Sequence, residues 1–126
     1  MIHLDTSFLI RALVRGSDED ALLREWLTAG ELLGMSTIAW TEFLCGPIGR
    51  DAFDLAKRIV NRRVGFSEDH AESAAELFNE SGRRKGTLID CMIAAAALAD
   101  SAPIATSNVA DFRRMRPAGV KVLPSD

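Results

Sequence analysis

The sequence predicts one α/β domain over residues 1–126, built as three layers, α/β/α, around a mostly parallel five-stranded sheet. Three observations point there. Short apolar runs alternate with helical patterns along the whole chain, as successive βα units require. Those runs lack the alternation of a sheet with one wet face, so both faces are covered. Finally, 126 residues suffice for one core without disulfide staples, and no repeat, low-complexity tract or linker divides them.

The elements follow in order. Ile2, His3 and Leu4 form a short strand that stops at Asp5. Thr6 and Ser7 are N-cap residue types for a helix packed by Phe8, Leu9, Ile10 and Leu13, which Gly16 stops. Ser17 opens a second helix, with Asp20 at the reciprocal capping position and Leu22, Leu23, Trp26 and Leu27 at helical spacing. Gly30 ends it. Residues 31–36 read as a buried strand, and 37–44 as a helix carrying Glu42, stopped by Gly46 and Pro47. A helix over 51–60 turns Phe53, Ala56 and Ile59 to one side, and 63–66 make a third strand. Ser67 caps a helix running through Phe78, and 82–86 (GRRKG) form a basic turn. Thr87 then starts a very apolar helix, 88–99, whose alanines at 94–97 permit close packing on the sheet. Strands at 103–106 and 120–123 flank a single helical turn at 108–112.

Composition excludes several classes. With 48% hydrophobic and 26% charged residues, the chain has the balance of an ordinary globular domain. No apolar run approaches the ~18 residues that span a bilayer. The N-terminal MIHLDTSFLIRALV has no basic leader, and Asp5 interrupts its apolar stretch; a cytoplasmic protein without membrane attachment is expected. Cys45 and Cys91 lie beside apolar neighbours in predicted helices and are expected to be buried free thiols. Two cysteines and two distant histidines make no zinc site. A net charge of −3 argues against a nucleic-acid partner, unless the acids are gathered where cations reverse the local sign.

The acids are placed for such gathering. Ligands of open α/β sheets bind beyond the carboxyl ends of the strands. Asp5 directly follows the first strand, Glu42 lies a few residues beyond the second, and Asp111 follows the fourth; Asp90 stands in the first turn of the alanine-rich helix. Converging carboxylates repel one another and lose hydration, so such a cluster calls for cations. Hard oxygen ligands suit Mg²⁺ or Mn²⁺. These ions acidify a bound water and stabilise charge on a phosphate during in-line displacement, which is chemistry for cutting a phosphodiester. Each acid also has a plainer reading. Asp5 can be a helix N-terminal charge. Asp90 follows Thr87 by three residues, and Asp111 follows Asn108 by three, both capping-box spacings. Glu42, between Trp40 and Phe43, is harder to explain this way, although one exposed helix face would accommodate it.

Two basic clusters flank these positions: Arg83, Arg84 and Lys85 before Asp90, and Arg113, Arg114 and Arg116 after Asp111. They are candidates for steering RNA phosphates, or else a solvated surface. Arg58, Arg62 and Arg63 read as surface charges. His3 and His70 have no nucleophile partner at a recognisable spacing, and Trp26 and Trp40 read as core or dimer-interface aromatics.

Four segments together resemble the PIN-domain ribonucleases, and in particular the VapC toxins of toxin–antitoxin pairs. They are IHLDTSFLI, STIAWTEFLCG, LIDCMIAAAAL and IATSNVADF, in the family's order and spacing and spread over essentially the whole chain. The resemblance implies a PIN-like domain over 1–126 with an acidic site of Asp5, Glu42, Asp90 and Asp111. By that likeness Asp5 and Asp90 ligate Mg²⁺ (or Mn²⁺) directly, while Glu42 and Asp111 complete the shell. Thr6, Thr106 and Asn108 match polar positions that orient the acids or a water. The implied activity is endoribonucleolytic hydrolysis of RNA, leaving a 5′-phosphate and a 3′-hydroxyl. The implied partners are a cognate antitoxin protein and a second copy of the chain. Cys91 and Met92 depart mildly from the pattern, and Ser107 stands where many relatives carry Arg. Two other classes compete: a non-catalytic RNA- or antitoxin-binding module, and an aspartate-based phosphatase or phosphoacceptor. The latter fits poorly, since Asp5-Thr6-Ser7 lacks a second acid two residues on and no lysine follows the fourth or fifth strand as a receiver requires.

Overall fold

Strand β1 (Ile2–Leu4), buried at every residue, runs down the centre of the sheet in the computed structural model, which describes residues 1–124. The strands β2 (Leu33–Ser36), β3 (Arg62–Val64), β4 (Ile104–Ala105) and β5 (Val122–Leu123) complete the order β3-β2-β1-β4-β5. Every pairing is parallel, so the sheet is more uniform than the mostly parallel one expected. His3 pairs with Gly34 on one side and Ile104 on the other.

Helices α1 (Thr6–Ala12) and α2 (Asp18–Thr28) connect β1 to β2; α3 (Thr37–Cys45) and α4 (Arg50–Ile59) connect β2 to β3. The return from β3 to β4 uses α5 (Glu68–Glu80) and α6 (Leu88–Ala99), and α7 (Val109–Arg113) with a 3₁₀ turn (Arg116–Ala118) leads to β5. The chain steps one way across the sheet from β1 to β3 and the other way from β3 to β5. Right-handed crossovers then assign α1–α4 to one face and α5–α7 to the other, giving the three layers expected. Helix α5 packs along α6, and α1 against α2 and α3. Cys91, Ile93 and all four alanines from 94 to 97 are fully buried, which lets α6 lie close to its neighbours.

Some expectations shift in detail. Thr6 and Ser7 do not cap α1; Asp5 is the N-cap, without a side-chain cap bond, and both hydroxyls face other partners. The third strand lies earlier than 63–66, and Phe66 has left it to donate its N–H to Thr37 Oγ1 at 3.3 Å. Helix α1 stops at Ala12, four residues before Gly16, whose φ of +87° turns the chain toward α2. Ser17 and Ser67 cap α2 and α5 as expected, accepting from Asp20 N–H and His70 N–H. The reciprocal half expected of Asp20 does not form: its carboxylate accepts from Gly16 N–H at 3.0 Å, one residue before the cap. In α5 the His70 ring does return the contact, accepting from Ser67 N–H at 3.2 Å.

Both cysteines are free, but Cys45 is exposed rather than buried, because it stands at the last position of α3. Trp26 stacks on Phe8 at 5.3 Å, while Trp40 meets Phe43 at 5.4 Å, and both pack against the core. Arg63 lies over the Trp40 ring at 5.1 Å. His3 is fully buried and contacts Asp100 Oδ2 through Nε2 at 2.7 Å; its Nδ1 has no partner. Its ring covers Gly34, where an added Cβ would come within 3.2 Å of it. No helix among the described residues is long and apolar enough to cross a membrane.

Candidate active site

Asp5 leaves β1 still tied to the sheet: its N–H donates to Ala105 O at 2.8 Å. This fixes the residue beside the end of β4 with only 3% of its surface exposed. Its Oδ2 accepts two hydroxyl hydrogen bonds, from Ser7 at 2.7 Å and from Thr106 at 2.8 Å. Thr106 itself is fully buried.

Glu42 reaches the same place from the exposed side of α3. Thr6 holds it there, its hydroxyl lying 2.9 Å from Ala39 O and 3.1 Å from Glu42 Oε1. Asp90 enters from the first turn of α6 and is half-buried. The capping-box reading of Asp90 fails, since Thr87 makes no side-chain cap bond and instead donates to Arg84 O at 2.7 Å. Asn108 likewise makes no side-chain cap for α7, which removes that explanation of Asp111.

Asp5, Thr6, Ser7, Ile10, Glu42, Asp90 and Asn108 line one hollow of about 250 Å³ at the carboxyl rim of the sheet. Asp111 does not line it, but lies near enough to act on Asp90 electrostatically. Burial first, then the charges of Asp5, Asp111 and Glu42, push the Asp90 carboxyl up to about 7. A carboxyl so raised holds its proton near neutrality because burial strips its hydration and, after that, neighbouring carboxylates repel its charge. That is the electrostatic signature of a place suited to a cation.

The fit to a divalent ion has a limit. Among the described residues, no three His, Cys, Asp or Glu side chains form a ready cage for a metal. Mg²⁺ does not require one, because it keeps several waters and takes one or two carboxylates. Oxygen-only donors and an excess of negative charge fit Mg²⁺ or Mn²⁺, and Asp5 and Asp90 are two carboxylates in the hollow that could hold one.

The basic residues stand outside this hollow. Arg83 folds back on α5, its guanidinium donating to Asn79 and lying over the Phe78 ring at 5.6 Å. Arg84, Lys85, Arg113 and Arg114 are exposed. Ser107 donates to Glu19 Oε2 at 2.8 Å, binding α2 to the end of β4. Sequence reasoning missed Ser7, assigning it to a cap. Its partners Asp5 and Thr106 lie 2 and 99 residues away, and only the Asp-Thr-Ser string hinted at them. No lysine lines the hollow, which leaves a receiver-type phosphoacceptor without its cation.

Comparisons with known proteins identify the family and bear on the fold. The PIN domain family matches residues 2–116. The fold is similar to that of a toxin–antitoxin complex from Klebsiella pneumoniae, with 25% identity, a TM-score of 0.75, and 98% of this chain and 96% of that one covered. It is also similar to VapBC2 from Rickettsia felis bound to a promoter DNA fragment, at 21% identity and a TM-score of 0.76, with both chains covered in full (100%). A third likeness is to VapC20 of Mycobacterium tuberculosis, described as a toxin that cleaves the sarcin-ricin loop, at 18% identity and a TM-score of 0.66; 95% of this chain and 96% of that one are covered. No curated protein matches the sequence closely.

Proposed function

Because the chain belongs to the PIN domain family, we propose that it is a Mg²⁺- or Mn²⁺-dependent endoribonuclease, the toxic member of a VapBC-type toxin–antitoxin pair. The observation that carries this reading is the single hollow lined by Asp5, Glu42 and Asp90, with Asp111 acting on Asp90 from its edge.

Asp5 and Asp90 would hold the ion, with Glu42 and Asp111 completing its surroundings through water. When bound, the ion supplies positive charge for the phosphate oxygens and acidifies a water that attacks the phosphorus. The chain's own residues do the rest. Ser7 and Thr106 fix the Asp5 carboxylate, and Thr6 fixes Glu42. Asp90 gives up its proton when a cation occupies the hollow. Exposed Arg84, Lys85, Arg113 and Arg114, and Arg83 from its contact with α5, offer charge-assisted bonds to flanking phosphates. Asn108 lines the hollow, within reach of a substrate or a water. The products would carry a 5′-phosphate and a 3′-hydroxyl.

The toxin reading draws on the Klebsiella pneumoniae likeness, to a protein described as part of a toxin–antitoxin complex, and on the Rickettsia felis likeness, to one described as VapBC2 bound to promoter DNA. The partners proposed are an antitoxin protein, an RNA substrate and a second copy of the chain, in the cytoplasm. The test is RNA cleavage by the purified protein with Mg²⁺ or Mn²⁺, with EDTA, and in the Asp5→Asn and Asp90→Asn variants. Cleavage should need the ion and vanish in both variants while their circular dichroism stays native. Expression should arrest growth, and Asp5→Ala should relieve the arrest. A folded double variant that still cuts RNA would overturn the assignment. A folded wild type that binds RNA but never cuts it would favour a non-catalytic module.

A further inference from the structure

The turn joining β4 to α7 supplies two backbone amides to the hydroxyls that hold Asp5. Ser107 N–H donates to Ser7 Oγ at 3.1 Å, and Asn108 N–H donates to Thr106 Oγ1 at 2.9 Å. A hydroxyl has one hydrogen, and an amide can only donate. Each hydroxyl therefore receives from its amide and gives its hydrogen to Asp5 Oδ2, at 2.7 Å from Ser7 and 2.8 Å from Thr106. Such chains polarise along their length. With both hydroxyls on Oδ2, Oδ1 is the atom left for a ligand.

The turn is itself secured. Ser107 commits its own hydroxyl hydrogen to Glu19 Oε2, at 2.8 Å, in the first turn of α2. Four residues thus connect α2 to the site in sequence: Glu19, Ser107, Ser7 and Asp5. We propose that Ser7 is a positioning residue for Asp5 and that the Ser107–Glu19 contact latches it in that role, which rests on the reading of Asp5 as a metal ligand. Glu19 also has an ordinary use as a negative charge near a helix N-terminus. That use needs neither Ser107 nor Ser7, so the two accounts separate.

The experiment titrates the full chain with Mn²⁺ alone, followed by electron paramagnetic resonance, and records the melting temperature of the metal-free protein in parallel. Loss of a group that orients a metal ligand weakens metal affinity about 10–100-fold. Ser7→Ala should weaken Mn²⁺ binding by about tenfold or more, with Ser7→Thr restoring most of it. Ser107→Ala should cost less, because its amide still reaches Ser7. Glu19→Gln keeps the acceptor and should bind Mn²⁺ as the wild type does. The double variant of Ser7→Ala with Ser107→Ala should be no weaker than Ser7→Ala alone, since both act through one contact.

Unchanged Mn²⁺ affinity in folded Ser7→Ala, or losses that simply add in the double variant, would overturn the relay. So would a Glu19→Gln loss as large as that of Ser107→Ala, which would make charge the cause rather than the contact. If Ser7→Ala does not fold, the comparison of Ser107→Ala with Glu19→Gln still separates contact from charge and decides the matter. A wild type that takes up no Mn²⁺ would instead remove the metal reading itself, and the relay with it.

Discussion

Asp90 and His3 pull the stability of the metal-free protein in opposite directions with pH. The Asp90 carboxyl is pushed from 3.8 up to about 7, so the folded state holds its proton where the unfolded chain has lost it. Stability therefore falls as pH rises through that window and stays low above it. Asn at this position removes the penalty. Metal-free Asp90→Asn should melt above the wild type at about pH 8, and the gap should close toward about pH 4. A saturating divalent ion should raise the wild-type melting temperature at neutral pH and leave Asp90→Asn almost unmoved. A scan showing the same gap at every pH would mean that neither burial nor the neighbouring acids raise the Asp90 carboxyl. His3 works the other way. Burial lowers its pKa below 6.5, its contact with Asp100 offsetting only part of the effect. The unfolded chain then takes up the proton first, and stability drops as pH falls below 6.5. In Asp90→Asn that acid-side decline should stand alone.

Among the elements, the pairing of β1 with β2 depends on a missing side chain. A methyl group on Gly34 would stand 3.0 Å from Met1 Sδ and 3.2 Å from two atoms of the His3 ring. Gly34→Ala should destabilise the fold by about 1–3 kcal/mol, read from urea denaturation midpoints. Removing the hydroxyl that starts α5, in Ser67→Ala, should cost about 1 kcal/mol. That second site also marks what the sequence makes legible. Capping is local, so Ser17 and Ser67 could be recognised from residues three positions on. The same grammar misread Thr6 and Ser7, whose hydroxyls bond across 36 and 100 residues. Asp5, Glu42 and Asp90 could be placed at the rim because each follows a strand or opens a helix, a property of position. The same rule placed Asp111 there, which does not line the hollow, and Asn108 came only through the family likeness. Ser107 and Glu19 could not be placed by position, because their significance is a contact between segments 88 or more residues apart. Ser7, though it bonds Asp5 two residues away, is tied to them only across 100 residues. The exposure of Cys45 escaped for a related reason: apolar neighbours do not say which side of the last helical turn faces water.

At the scale of the molecule, the proposed function requires a chain of net charge −3 to meet RNA through local rather than overall attraction. Replacing Arg84 and Lys85 together by Glu should weaken RNA binding by the cleavage-dead Asp5→Asn protein and flatten its salt dependence, with the melting temperature unchanged. Binding measured by fluorescence anisotropy at several salt concentrations would decide it; an unaltered slope would return both residues to the role of solvated surface. The sheet order carries another consequence. The central strand is the first to be synthesised, yet its β4 neighbour is nearly the last, and the Thr106 to Asp5 bond joins residues 101 apart. While the chain is still emerging from the ribosome, β1 has an open edge and Asp5 swings without its second hydroxyl. On the proposed function, a truncated or stalled product ending before Thr106 would carry Asp5, Glu42 and Asp90 without β5 or the Thr106 hydroxyl and should not cut RNA. Any danger such a protein poses to the cell that makes it begins only at the close of translation.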